Sequence, residues 1–244
     1  MKCSPMPRPW RIACRLGAGL AAAVLVLVIL LRYEPGFYRD ARVQGGPDRL
    51  GARPADADTV EGLARRAMTR AATWHAALGE EGPWELVLTA VEVNAWLAID
   101  LPRNHAKLLP RGVSDPRIAL GARHLRCGAR MGLGPLSAVA WVDLEVVLRD
   151  VNQLAIAIDE ARLGAIPLPR AAVLQNLAGR LGDLGAVAEV RRVDGRPVLM
   201  VYIPSAQDGR FPGCRLEALA VDAGELLLSG RTHGAGVTPQ PGSS

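Results

Sequence analysis

Apolar and polar residues alternate most regularly in SAVAWVDLEVVLRD, Ser137 to Asp150. There Ala140, Val142, Leu144, Val146 and Leu148 share one face, and Asp143, Glu145 and Arg149 share the other. A period of two is that of a β-strand with one buried side. The next segment, QLAIAIDEARLGAI, continues with Leu154, Ile156 and Ile158 and then changes phase to Ala161 and Leu163. A bulge near Asp159 and Glu160 accounts for the shift. Further strands are predicted at WELVLTA, with Trp84, Leu86 and Leu88 on one face, and from Ile118 and Leu120. Two hairpins follow, one turning at Asp194-Gly195 and the other around Asp222 to Gly224.

A period near 3.6 marks three helices. In DADTVEGLARRAMTRAATWHAAL, the residues Val60, Leu63, Ala67, Ala71, Trp74 and Leu78 fall on one face, and Asp56, Asp58 or Thr59 is available as the cap. In AVEVNAWLAID, Thr89 and Glu92 form a capping-box signature, Trp96 and Leu97 are the expected anchors, and the Leu101-Pro102 step is the expected end. AAVLQNLAGRLG has helical spacing through Val173, Leu177 and Leu181. Before it stands ARLGAIPLPR, in which Pro167 and Pro169 have no amide hydrogen with which to extend a ladder. This corner is expected to turn the chain from sheet into covering helix. The pattern gives an α+β fold, a strongly curved antiparallel sheet wrapped around amphipathic helices.

The longest uncharged apolar run, Leu16 to Leu31, is bracketed by Arg15 and Arg32. With Ile12 to Cys14 added it approaches the roughly 20 residues that a membrane helix needs. Lys2, Arg8, Arg11 and Arg15 precede it without an acid, so the positive-inside rule places the N-terminus in the cytoplasm and the rest across the membrane. A cleaved or lipid-modified signal and a buried helix are the alternatives, but RYEPGF after the run is no small-x-small cleavage site. The expected organisation is a cytoplasmic N-terminus and transmembrane signal anchor over 1–32, a stalk over 33–55, an extracytoplasmic body over 56–231 and a flexible tail over 232–244.

Charge alters the picture little. Lys2, Arg8, Arg11, Arg15 and Arg32 account for the surplus of basic over acidic residues, 29 against 24. The exported part is formally neutral, so the basic balance is a topology signal and no nucleic-acid partner is read from it. Cys127 and Cys214 are the two exported thiols, available either for one disulfide or as separate buried thiols.

Chemistry-bearing motifs are sparse. His75, His105, His124 and His233 show no HxH or HExxH spacing, and Ser137, Ser205 and Ser229 lack GxSxG context. GLGPLS has no Walker ending, and Asp143 with Glu145 reads as solvated charge on an outer strand face. No catalytic residue, metal ligand or cofactor is expected. Arg117, beside Asp115 in VSDPR, is available to pair with that acid or to contact a headgroup. The apolar interior is the better functional candidate: Val142, Leu144, Val146, Ile156 and Ile158 would line a groove for a lipid or isoprenoid chain, or simply fill a core.

LTAVEVNAWLA, LLPRGVSDPRIAL and ARLGAIPLPRAAV in this order resemble the YpmS-like and LmeA-like exported bacterial proteins, relatives of tubular lipid-binding (TULIP-like) domains. The resemblance covers about Trp84 to Leu181 and is carried by Thr89, Glu92, Asn94, Trp96 and Leu97 and by Gly164, Ala165, Ile166, Pro167, Leu168 and Pro169. It implies an N-terminal membrane segment, a helix-in-sheet body, and the handling of membrane lipids or envelope glycolipids without a catalytic residue. The expected function is therefore non-enzymatic lipid or isoprenoid binding in cell-envelope maintenance. The alternative is a membrane-tethered interaction module with a filled core, partnered by a second copy or another envelope protein.

Overall fold

A computed structural model describes residues 26–45, 59–183, 185–203 and 213–233. Helix α1 spans Gly36–Gly45 and α2 spans Val60–Ala77, followed by β1, Gly82–Thr89, and α3, Ala90–Asn104. Four long strands come next: β2, Val113–Gly121; β3, His124–Leu133; β4, Leu136–Asp150; and β5, Gln153–Leu163. The two-residue β6, Ile166–Pro167, leads into α4, Arg170–Asp183. The chain continues through β7, Val187–Val193; β8, Arg196–Tyr202; β9, Cys214–Asp222; and β10, Glu225–Thr232.

The fold is mixed α+β, as the periodicities require, but the strands form two antiparallel sheets where one curved sheet was expected. One has the order β1-β10-β9; the other runs β2-β3-β4-β5-β8-β7, with β6 beside β5. Neither closes on itself or curls strongly. The strand patterns hold up well. Asp143 faces Glu160 while Leu144 faces Ile158, so Asp159 is the extra residue of a bulge. The bulge sends two successive acids to the outer face and returns Ala161 to the inner one, which removes the need to bury a carboxylate. Asp194 and Gly195 both have positive φ, 50° and 77°, as a two-residue hairpin turn demands.

Both faces of the larger sheet are used. Helix α4 lies on the inner face, where Leu174 packs with Leu144, Ile158, Ala161, Leu199 and Val201. Helix α1 lies on the outer face, where Phe37 and Tyr38 pack with Val139 and Trp141. Gly128 of β3 makes the second contact close: a Cβ there would come 2.9 Å from the Tyr38 ring. The smaller sheet has its own core of Leu78, Trp84, Cys214 and Leu216, which Leu148 and Leu154 extend towards the larger sheet.

Three local expectations are corrected. The stretch read as a stalk contains α1, whose Tyr38 is fully buried and, with Phe37, packs on Val139 and Trp141. Helix α3 runs through Pro102 to Asn104, since Asp100 accepts hydrogen bonds from both Trp96 Nε1 and Asn104 Nδ2 and holds the last turn. The buried residues of α3 are Glu92, Asn94, Ala95, Asp100 and Leu101, while the expected anchors Trp96 and Leu97 are only half-buried. Thr59 is the cap of α2, accepting from the Gly62 amide.

Candidate functional site

The corner at Gly164 is the point from which the site is built. Gly164 has φ +60°, its amide donates to the Val139 carbonyl, and its own carbonyl accepts from Trp141 Nε1 at 3.1 Å. Against it lies the end of the apolar run. Residues 26–31 are helical, and the Ala165 amide donates to the Leu30 carbonyl at 2.8 Å. A Cβ on Gly164 would stand 2.3 Å from that carbonyl oxygen, so only glycine admits the helix end. The corner between sheet and covering helix is thus also the socket for the apolar segment. Val26, Leu27, Ile29 and Leu30 are exposed beyond it. Among the described residues no helix is long and apolar enough to cross a membrane. The greater part of the expected anchor, residues 1–25, lies outside the described residues, as do 46–58 of the stalk and body and 234–244 of the tail.

A buried polar network holds α1, α3 and β2 together beside this socket. Asn94 Oδ1 accepts from the Ile118 amide and its Nδ2 donates to the Ile118 carbonyl, both at 2.8 Å. Because β2 is an edge strand, the Asn94 amide serves as the missing next strand. Arg117 donates to the Asn94 carbonyl and, at 2.6 Å, to Asp115 Oδ1, while the Tyr38 hydroxyl donates to the Asp115 carbonyl at 2.7 Å. Burial, then the charge of Asp115 and the hydrogen bond to it, push the Tyr38 phenol well above its ordinary range. Arg117 is 3% exposed, so of its two expected roles the pairing with Asp115 is found and the headgroup contact is corrected: its terminal nitrogens are engaged inside the body, while its Nε is buried without a partner. Thr89 and Glu92 form the complete capping box, and Arg70 adds a 3.1 Å contact to Glu92.

The apolar residues proposed as a groove are all brought together. Leu144 and Ile158 are buried in the centre under Leu174, whereas Val142, Val146 and Ile156 remain partly exposed at the margin. The reason is geometric. A helix about 10 Å across covers roughly two or three strands spaced about 4.8 Å apart, and α4 packs on β5, β7 and β8. The inner faces of β3 and β4 therefore reach past it. Leu125, Cys127, Val142 and Val146 form an apolar margin beside α4, and Val173, Leu177 and Leu181 stay partly exposed on the helix itself. At the end nearest the apolar helix of residues 26–31 this seam begins with Leu168, four residues beyond the Gly164 socket.

Cys127 and Cys214 are both free thiols and occupy different apolar clusters, one in each sheet, so the disulfide alternative is not realised. Burial, and secondarily the charge of Asp143, push the Cys127 thiol up to about 12. Its thiolate fraction at pH 8 is then roughly 10⁻⁴, and the thiolate is the reactive form. In a chain with Cys3, Cys14 and Cys214 changed to serine, maleimide labelling of Cys127 should therefore be slow at pH 8. The rate should rise about tenfold per pH unit up to pH 10, where an ordinary thiol with pKa near 8.5 has already levelled off. A rate that plateaus at pH 9 would show an ordinary thiol.

The buried Asn94–Arg117 pair was the feature hardest to foresee: NAW and DPR give no spacing signal that two polar side chains meet. No family model matches the chain, and neither a curated protein nor a solved structure matches it.

Proposed function

We propose that this protein is a single-pass, membrane-anchored envelope protein that binds one lipid or isoprenoid chain, without catalysis, along the seam between α4 and the inner face of β3 and β4. In this reading the N-terminus is cytoplasmic and the body stands outside the membrane, with the sheet curving about α4 when a chain is present. The observation that carries it is the incompletely covered apolar margin, Leu125, Cys127, Val142 and Val146, leading to a corner that grips the end of an apolar helix. A hydrocarbon chain leaving a bilayer beside that helix would meet Leu168 first and could continue along the seam. Burying such a margin is favourable by about 25 cal/mol per Å².

The second reading, an interaction module with a filled core, is favoured by the centre of the same face, where Leu144, Ile158, Leu174 and Leu199 are packed shut. Marginal positions separate the two. The full chain, extracted gently from its own membranes, is examined by native mass spectrometry before and after addition of phospholipid or polyprenyl phosphate. Lipid binding predicts a stoichiometric adduct that Val146→Asn and Ile156→Asn each weaken at least tenfold while circular dichroism remains native. Protein that carries no adduct and takes up neither lipid leaves the interaction module standing.

A further inference from the structure

On the outer face of the larger sheet, three strands bring His124, Asp143 and Asp159 together. His124 Nδ1 lies 3.2 Å from Asp143 Oδ1 and 3.5 Å from Asp159 Oδ2, and the three ligand atoms all lie within 4.8 Å of one another. We propose that these side chains form a three-ligand site for a divalent transition metal, with Zn²⁺ the best fit.

Four observations support the assignment. Zinc takes imidazole nitrogen and carboxylate oxygen at about 2.0–2.2 Å, and a tetrahedron with such bonds has edges of roughly 3.3–3.6 Å. Of the two His–Asp separations, 3.5 Å matches those edges and 3.2 Å lies just below them, and the third closes by rotation of half-exposed Asp159. The ligands come one each from β3, β4 and β5, neighbouring strands whose ladders fix the backbone positions. Asp159 is the bulge residue, and the bulge places it, with Glu160, on the same face as Asp143.

The neighbouring charges complete the case. Arg126 Nε donates to Asp143 Oδ2 at 2.9 Å, which leaves Oδ1 directed at His124, the arrangement of an orienting partner behind a ligand. Arg162 engages Glu160 and Arg123 approaches Glu145, but among the described residues Asp159 pairs only with His124. A divalent cation would supply the positive charge that this carboxylate lacks. Solvent reaches the site, since His124 is 43% exposed, and a fourth position is open to water or to a ligand from another molecule. The site lies on the sheet face opposite the apolar seam, so it stands or falls independently of lipid binding.

The test is calorimetric titration of Zn²⁺ into the full, untagged, chelator-treated chain in detergent, with Co²⁺ absorption as the second readout. One ion should bind, and Co²⁺ should give the intense visible bands of a low-coordinate site. His124→Ala and Asp159→Asn should each weaken binding by roughly 100-fold, Arg126→Gln by about tenfold as a partner behind the ligand, and His105→Ala not at all, with circular dichroism unchanged throughout. Absence of saturable binding, or binding equal in His124→Ala and the native chain, would reduce the cluster to a histidine paired with two carboxylates.

Discussion

Replacing the buried Asn94 with leucine is expected to destabilise the body strongly. The leucine suits a helix and the site is apolar around Ala95, but the Ile118 amide and carbonyl would both lose their partner while β2 stays packed. Each orphaned buried group costs about 1–3 kcal/mol, so the two together cost about 2–6 kcal/mol against a typical stability of 5–15. Arg117 would still hold Asp115 and the main-chain carbonyl of residue 94, so the loss falls on the two Ile118 groups. A thermal melt of the full chain should shift down by roughly 4–24 °C. A shift under about 3 °C would mean that the edge of β2 is satisfied in some other way, and the role given to Asn94 would be wrong.

The second large effect is expected at Gly164. Valine there would need a left-handed backbone, which costs a non-glycine residue about 1–2 kcal/mol, and its Cβ would collide with the Leu30 carbonyl. The strain is best relieved by expelling the helix end, since the β5–β6 turn is also held from behind by Val139 and Trp141. The body should keep its strand signal by circular dichroism, while limited trypsinolysis after Arg32 accelerates at least tenfold. Cleavage at the native rate would show that Leu30 and Ala165 do not couple the apolar segment to the sheet.

How far the fold could be read from the sequence differs from element to element, for physical reasons. Strand β4, the bulge at Asp159 and the Asp194-Gly195 turn follow from local rules, a period of two, a broken phase and a positive-φ pair, and these needed no knowledge of the rest of the chain. The two-sheet arrangement was not legible, because β1 chooses β10 as its partner and no local pattern specifies a pairing between strands so distant in sequence. Helix α1 was obscured by composition: Gly36, the flanking Pro35 and several charges look like a linker until Phe37 and Tyr38 are placed over Gly128 and Trp141. At the site, the five apolar positions came together as their alternation implied, but which of them stay at the margin depends on the width of α4, a tertiary fact. For Arg117 the pairing with Asp115 followed from their adjacency, but the burial did not. An arginine beside a proline looks exposed, and only the convergence of Asn94 and Asp115 makes its burial affordable.

The pairing of β1 with β10 bears on the order in which the chain matures. During synthesis β1 emerges early and waits for the last described strand before any backbone partner exists for it. Until then Trp84 and Leu86 have no sheet to enter, and the segment resembles an aggregation-prone strand in need of protection. The larger sheet, whose long neighbours β2 to β5 are joined in sequence, can zip up first and offer Leu148 and Leu154 as a platform. Closure of the small sheet then pairs strands far apart in sequence, the kind of contact that slows folding, and it depends on an intact β9–β10 hairpin.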